Sequence, residues 1–170
     1  MSHPVVFLWT GNAARSVMAG AALAAHLPDW QVTTAGTLVV EGQPMSWRTK
    51  AALDGVGLTA PSHRSRQATA SDLGHAALVI ALAPEHVHWV RRTYPDAANR
   101  TASLRRLARD LPDDDSPLAD RVARLGLAEV ALEDWEEVVD PGGGDAEDFA
   151  ACAREVVDLV ATLAPRLEGR

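Results

Sequence analysis

PVVFLWTGNAARS, from Pro4 to Ser16, is the stretch of this sequence that decides the fold. Its first six residues, Pro4 to Trp9, form a short apolar run bounded by polar residues. Such a run is typical of a strand buried on both faces of a parallel sheet. The residues after it include glycine, asparagine and arginine, and they lead into a segment with helical periodicity. The stretch therefore predicts a central strand, a tight loop and the first helix of an α/β protein.

The rest of the chain repeats this alternation of strand and helix patterns. Apolar runs predict the strands, while helical periodicity with proline and glycine punctuation predicts the helices. Further strands are predicted at 31–35, 76–82 and 101–104, and helices at 16–27, 44–55, 84–94, 118–130 and 146–163. Right-handed crossovers between such elements produce a mainly parallel sheet. The predicted fold class is α/β, with a doubly wound, mainly parallel four-stranded sheet and helices on both faces, in a single domain spanning residues 1–170.

Composition places the chain among globular proteins, with 47% hydrophobic and 23% charged residues. No apolar stretch approaches the roughly 20 residues of a membrane span, and the N-terminus lacks a basic region followed by a cleavage site. We therefore expect a soluble cytoplasmic protein without a membrane partner. The single cysteine, Cys152, cannot form a disulfide within the chain. Because its surroundings have a helical pattern, it is predicted to be a buried structural thiol.

Charge and histidine spacing argue against two further classes of ligand. The net charge of −7 makes a nucleic-acid partner unexpected, because phosphate backbones are bound through clustered positive charge. Basic residues between Arg91 and Arg109 are followed by an acidic block, which we interpret as two solvated faces of opposite sign. His86 and His88 lie two residues apart in a predicted helix and point in different directions, so no metal or other cofactor is expected.

The loop after the first strand is the candidate binding site. In open α/β sheets, ligands bind beyond the carboxyl ends of the strands. Backbone N–H groups and the positive end of the next helix favour an anion there, and Gly11 and Asn12 tolerate left-handed backbone angles. Arg15 adds a planar two-pronged donor that suits phosphate oxygens. The candidate phosphate-binding loop consists of Thr10, Gly11, Asn12, Ala13, Ala14, Arg15 and Ser16. Without further context, an ordinary strand-to-helix connection explains these residues equally well.

Residues 7–16 resemble the loop of the low-molecular-weight protein tyrosine phosphatases, which reads Cys-x5-Arg-Ser between the first strand and helix. The resemblance includes the length, glycine, asparagine, arginine and serine, but Trp9 stands where the family has its cysteine. Further segments similar to the family follow in order along nearly the whole chain. They are Thr34-Ala35-Gly36-Thr37, Gly57-Leu58, His63-Arg64-Ser65-Arg66-Gln67 and Val139-Asp140-Pro141 with Gly142, Gly143, Gly144, Asp145 and Phe149.

The resemblance implies a role for each matching residue. In the family, a thiolate attacks phosphorus, arginine and backbone N–H groups stabilise the transferring charge, and the Asp-Pro aspartate protonates the leaving group. By this resemblance Arg15 would clamp phosphate and Asn12 would organise the loop. Ser16 would lower the pKa of the nucleophile, and Asp140 would be the general acid. At Trp9, an indole has no group that forms a phosphoenzyme, so we expect little or no phosphatase activity and a binding or regulatory role.

Several alternatives remain open at this point. The ring of Trp9 either fills the phosphate site or turns back into the sheet, in which case an anion site at Arg15 survives. The ligand is accordingly a phosphorylated protein or small anion at the loop, or a protein partner that covers it. Asp140 is either the acid or a turn residue without a catalytic role. A weak phosphomonoester hydrolase that uses Asp140 and Arg15 without a phosphocysteine is the alternative function. Gly142 and Gly143 supply no aromatic ring for phosphotyrosine.

Overall fold

The computed structural model describes residues 3–60 and 62–169. The strands are β1 (Pro4–Trp9), β2 (Gln31–Gly36), β3 (Leu78–Ala81) and β4 (Thr101–Ser103). The helices are α1 (Arg15–His26), α2 (Trp47–Gly55), α3 (Ala70–His75), α4 (Pro84–Thr93), α5 (Leu104–Asp110), α6 (Leu118–Ala123) and α7 (Ala146–Glu168), with 3₁₀ turns at Pro95–Arg100 and Asp134–Glu136. The strands are all parallel and lie in the order β2-β1-β3-β4. The predicted fold class is confirmed.

The register of the sheet brings the ends of its strands to one edge. Trp9 at the end of β1 pairs with Gly36 at the end of β2, and Leu8 pairs with Ala81 at the end of β3. The loops that follow these strands therefore lie side by side. This is the edge at which open parallel sheets bind their ligands.

The alternation of side chains along β1 divides the core into two layers. Val5 and Phe7 pack with buried residues of α1, α2, α5 and α7 on one face. Val6 and Leu8 pack with residues of α3 and α4 on the other face. Trp9 continues the first series and packs against the same layer as Val5 and Phe7. Its indole is thus directed toward the face on which α1 and α7 lie.

Small residues let α1 lie close to β2, as its composition predicts. A Cβ atom added at Gly20 would lie 2.6 Å from the Cγ2 atom of Thr34, a separation that side chains do not tolerate. Since α1 starts at Arg15, this close contact also fixes the position of the helix end that faces the candidate loop.

Some helix boundaries differ from the sequence prediction for identifiable reasons. The short helices α3 and α5 were not predicted; each starts at a capping hydroxyl, from Thr69 and Ser103 respectively. The helix predicted at 118–130 ends at Ala123, because Gly126 turns the chain with φ 60°. The last helix extends past Leu163 to Glu168 because buried Arg121 donates to carbonyl groups of its last turn.

The remaining composition-based predictions concern α7 and the membrane. Cys152 is buried in α7, as predicted. Within residues 3–60 and 62–169, no helix has both the length and the apolar character needed to cross a bilayer.

Candidate functional site

The candidate loop connects β1 to α1 at the carboxyl edge of the sheet. Asn12 is fully buried and adopts φ 50°, the one positive φ at a non-glycine position among the described residues. This conformation is more accessible to asparagine than to most side chains. Gly11, which would also tolerate left-handed angles, does not have a positive φ. The sharp turn of the loop is therefore made at Asn12.

Hydrogen bonds hold Asn12 from every side. Ser16 Oγ donates to Asn12 Oδ1 at 3.0 Å, so the first turn of α1 fixes the side chain. The Asn12 carbonyl accepts from His63 Nε2 at 2.8 Å and from Ser65 Oγ at 3.1 Å. Because a carbonyl only accepts, His63 carries its proton on Nε2. Asn12 is thus hydrogen-bonded to three side chains, of which His63 and Ser65 were not predicted from the sequence to lie near the loop.

Backbone contacts join the start of the loop to the segment after β2. Thr37 N–H donates to the Trp9 carbonyl at 3.0 Å, and Leu38 N–H donates to the Thr10 carbonyl at 3.1 Å. A Cβ atom at Gly36 would lie 2.5 Å from the Thr10 carbonyl oxygen. Glycine is required at position 36 because the two backbones approach so closely.

Arg15 is the buried cation of the loop, with only 2% of its surface exposed. Its guanidinium carbon lies 4.4 Å from the centre of the Trp9 ring. One terminal nitrogen donates a short hydrogen bond to the Val138 carbonyl, and the other lies 3.9 Å from Asp140 Oδ2. Burial lowers the pKa of Arg15, and the negative charge of Asp140 is the main opposing influence. Protein groups therefore surround the guanidinium of Arg15.

The position of the Trp9 ring was left open by the sequence and is given by this contact. The indole lies against the guanidinium and does not turn away from Arg15. Trp9 Nε1 and Arg15 Nε are both buried without a hydrogen-bond partner in the described part of the chain. The favourable cation–π contact therefore comes with two unsatisfied donors.

Asp140 lies at the mouth of the site with 44% of its side chain exposed. Its Oδ1 atom accepts from the backbone N–H of Gly142 at 2.8 Å, which orients the carboxylate at the start of the glycine-rich turn. It lines an open cavity of about 460 Å³ together with Cys152 and Glu155. The structure brings Trp9 and Asp140 to the same guanidinium, although Asp140 lies 125 positions after Arg15 in the sequence.

The model of the low molecular weight phosphotyrosine protein phosphatase family matches residues 4–120 of this chain. The chain belongs to this family. A protein-arginine-phosphatase of Geobacillus stearothermophilus is 28% identical over 169 residues, which cover 99% of this chain and 98% of that protein. The solved YwlE arginine phosphatase of the same organism superposes with a TM-score of 0.76, at 28% identity, over 96% of this chain and 92% of that one. A low molecular weight protein tyrosine phosphatase from T. tengcongensis superposes with a TM-score of 0.77, at 27% identity, over 95% and 97% of the two chains.

A buried ion pair supports the segment that carries Asp140. Arg106 Nε and Nη2 each lie 2.9 Å from an oxygen of Glu136, which is fully buried. Ser103 Oγ donates to the same carboxylate at 2.8 Å. Two residues later, Val138 N–H donates to the Leu82 carbonyl at the end of β3, at 2.8 Å. No local sequence pattern signals this pair, because its members lie 30 residues apart.

The thiol of Cys152 is not an activated one. Cys152 is buried in α7, and burial raises its pKa to about 11, although the positive charge of Arg15 acts in the opposite direction. A thiol with such a pKa is almost entirely protonated near neutral pH. Cys152 is therefore not poised to replace a loop nucleophile.

His86 lies behind the loop on α4. Its Nε2 atom is 2.8 Å from the Thr10 hydroxyl, and its Nδ1 atom is buried without a partner in the described residues. Burial, with a smaller contribution from the charge of Arg15, lowers the pKa of His86 to about 4. His88 is exposed, as expected for a residue two positions further along a helix. His86 is thus a neutral brace of the loop that sequence reasoning did not identify.

Proposed function

We propose that this chain is a non-catalytic member of its family, in which Trp9 stands at the position of the nucleophilic cysteine. The proposal rests on one observation: the indole of Trp9 lies 4.4 Å from the guanidinium of Arg15. A phosphoryl group must approach the same guanidinium, because it is the strongest positive charge of the loop. Trp9 therefore removes the nucleophile and also covers the group that would stabilise the transition state.

Neither Trp9 nor Cys152 supplies an equivalent nucleophile. An indole carries no group that accepts a phosphoryl group in the family's reaction. Cys152 is the single cysteine of the chain, and burial keeps its thiol protonated. The position of the cysteine in the family loop is taken here by a residue whose role is to pack and to cover Arg15.

An activity assay tests this proposal against both substrate classes of the similar phosphatases. The wild-type chain and Arg15→Ala would be incubated with an aryl phosphate and with a phosphoarginine peptide from pH 5 to 8. We expect no turnover above the buffer rate and no phospho-adduct by intact-protein mass spectrometry. Turnover that is abolished in Arg15→Ala would overturn the proposal.

A weak hydrolase based on Asp140 is a second candidate function, favoured by the position of that carboxylate. Asp140 Oδ2 lies 3.9 Å from Arg15 Nη2 and is open to solvent. In this function, Asp140 would activate a water molecule and Arg15 would stabilise the charge on the phosphoryl group. A slow rate that is lost in Asp140→Asn and is insensitive to thiol reagents would favour this function. The same measurement without such a rate excludes it.

The binding role that we propose is contact with a protein partner over the closed loop. Four large apolar side chains of the described residues are at least 64% exposed: Leu38, Val40, Trp47 and Val139. Each lies in a segment that contacts the loop. Leu38 N–H donates to the Thr10 carbonyl, and Thr49 in the first turn of α2 donates to the Ala13 carbonyl at 3.1 Å. Exposed apolar residues gathered around one site are typical of protein contacts.

A photo-crosslinking experiment tests the contact. A photoreactive residue would be placed at position 47, with position 161 on the exposed side of α7 as the matched control. We expect a discrete adduct with one protein from position 47 and none from position 161, and we expect Leu38→Asp to abolish it. Equal labelling from both positions, or an adduct that survives Leu38→Asp, would contradict the proposed contact.

A further inference from the structure

A second cavity lies beside α2, away from the covered guanidinium. It has a volume of about 360 Å³, within the size range of small-molecule sites. Its walls come from α2, from the segment before it and from the segment that returns after it. The lining includes Met45, Leu53 and Leu58, which all pack against the main core layer. The floor of the cavity is therefore apolar and part of the folded core.

The walls of this cavity are fixed by hydrogen bonds. Ser46 caps α2 by accepting from the backbone N–H of Thr49 at 3.2 Å. Leu58 N–H donates to the Leu53 carbonyl at 2.9 Å, which turns the chain back along the helix. Ser65 N–H donates to the Gln43 carbonyl at 2.8 Å and joins the two outer segments. A ligand would thus meet a formed site, with little ordering cost on binding.

Charged side chains at the mouth of the cavity give it one net positive charge. Lys50 and Arg64 are the cations, and Asp54 is the single carboxylate. The Lys50 ammonium lies 3.4 Å from Asp54 in an exposed pair, so it remains open to a second partner. Burial lowers the pKa of His63, which keeps its imidazole neutral near pH 7. The chemistry of the cavity therefore suits an apolar molecule with one negative charge.

We propose that this cavity binds a small amphipathic monocarboxylate. Its apolar body packs against Met45, Leu53 and Leu58, and its carboxylate lies at the mouth beside Lys50 and Arg64. This site is separate from the proposed contact surface over the loop and does not depend on it. The proposed ligand is a small molecule without a phosphoryl group.

His63 connects this site to the loop. Its imidazole lines the cavity, and its Nε2 atom donates to the Asn12 carbonyl at 2.8 Å. Asn12 is the residue at which the loop turns. A ligand that packs against His63 therefore contacts the residue that braces the loop. Its binding should change the environment of Asn12 and Ala13.

Calorimetry and NMR with octanoate as the probe test the proposal. We expect saturable binding with one site per chain, and shifts of the backbone amide signals of Asn12 and Ala13 without shifts in α6. The variant Lys50→Gln/Arg64→Gln removes the charge at the mouth, and we expect affinity about tenfold weaker. Arg92→Gln, on α4 and outside the cavity, is the matched control and should bind like the wild type.

Two further binding measurements, with a variant and with a second probe, distinguish this proposal from its alternatives. Thr59→Trp, which places a large ring at the cavity wall, should abolish binding while leaving the fold intact by circular dichroism. Octylamine should bind at least tenfold more weakly than octanoate, because its charge has the wrong sign. The proposal is overturned if octanoate does not saturate, if octylamine binds equally well, or if the double variant and Arg92→Gln are affected alike.

Discussion

The guanidinium carbon of Arg15, the first residue of α1, lies 4.4 Å from the centre of the ring of Trp9, the last residue of β1. The contact places a cation over an aromatic face. A cation over an aromatic face gains about 0.5 to 2 kcal/mol, more where water is excluded. Arg15 is 2% exposed, so its charge is stabilised by the ring, the Val138 carbonyl and Asp140.

Removal of the indole should reopen the anion site. In Trp9→Ala the guanidinium loses its cover, and inorganic phosphate becomes able to approach it. At phosphate concentrations twentyfold above its dissociation constant, binding stabilises the fold by about 2 kcal/mol, or about 4 °C in Tm. Differential scanning fluorimetry with increasing phosphate measures this shift for each variant relative to its own phosphate-free Tm.

Trp9→Phe is the matched control for that experiment. A phenyl ring keeps the cover over Arg15 and removes the unsatisfied indole N–H, so the wild type and this variant should both be insensitive to phosphate. A wild-type chain that responds to phosphate as strongly as Trp9→Ala would show that the indole does not block the site.

The neutral form of His86 should make the fold sensitive to moderate acid. Its pKa is lowered to about 4 in the folded chain, below the ordinary value of 6.5. Between these values the unfolded chain binds a proton that the folded chain does not, so the free energy of unfolding falls as the pH falls. From pH 7 to pH 5, we expect a loss of about 2 kcal/mol from this residue.

Urea unfolding of the wild type and His86→Gln at these two pH values isolates the contribution. Carboxylates titrate in both proteins and cancel in the difference. If the two proteins lose the same stability between pH 7 and pH 5, the imidazole of His86 does not have the lowered pKa.

Cys152 should be unreactive in the native protein. Because burial raises the pKa of its thiol to about 11, the thiolate fraction at pH 8 is about one in a thousand, and access is also blocked. Ellman's reagent at pH 8 should therefore label the chain slowly, and labelling should become fast in guanidinium chloride. Fast labelling of the native chain would mean that Cys152 is an accessible thiolate and would reopen its role in catalysis.

The buried pair of Arg106 and Glu136 should be essential for the stability of the segment before Asp140. Glu136→Ala leaves the guanidinium buried without its carboxylate, and the expected cost is about 3 to 5 kcal/mol. Urea unfolding measures the loss. Asp114→Ala is the control, since its pair with Arg124 is about half exposed and should contribute much less to the free energy of unfolding. Equal effects of the two substitutions would show that burial does not strengthen the first pair.

Strands and the loop could be predicted from the sequence because their signals are local. The apolar run at β1 was predicted with the bounds that the structure has, Pro4–Trp9. The short helices α3 and α5 escaped prediction because six or seven residues show too little periodicity. The end of α6 was not predicted correctly. Gly126 turns the chain there, and Arg91 donates hydrogen bonds to distant carbonyls that a longer helix would have used.

What the sequence by itself determined is the chemical content of the candidate site: a glycine- and asparagine-containing loop between Trp9 and Arg15, and the Asp140-Pro141 turn far along the chain. What only the tertiary structure decided is how these groups are used. The direction of the Trp9 ring depends on the register of β1 and on the packing of α1 and α7. The groups that contact the Arg15 guanidinium depend on where the segment from 136 to 140 folds back. Side-chain identity is a local property, whereas the partner of a buried charge is set by residues that are distant in the chain and adjacent in space.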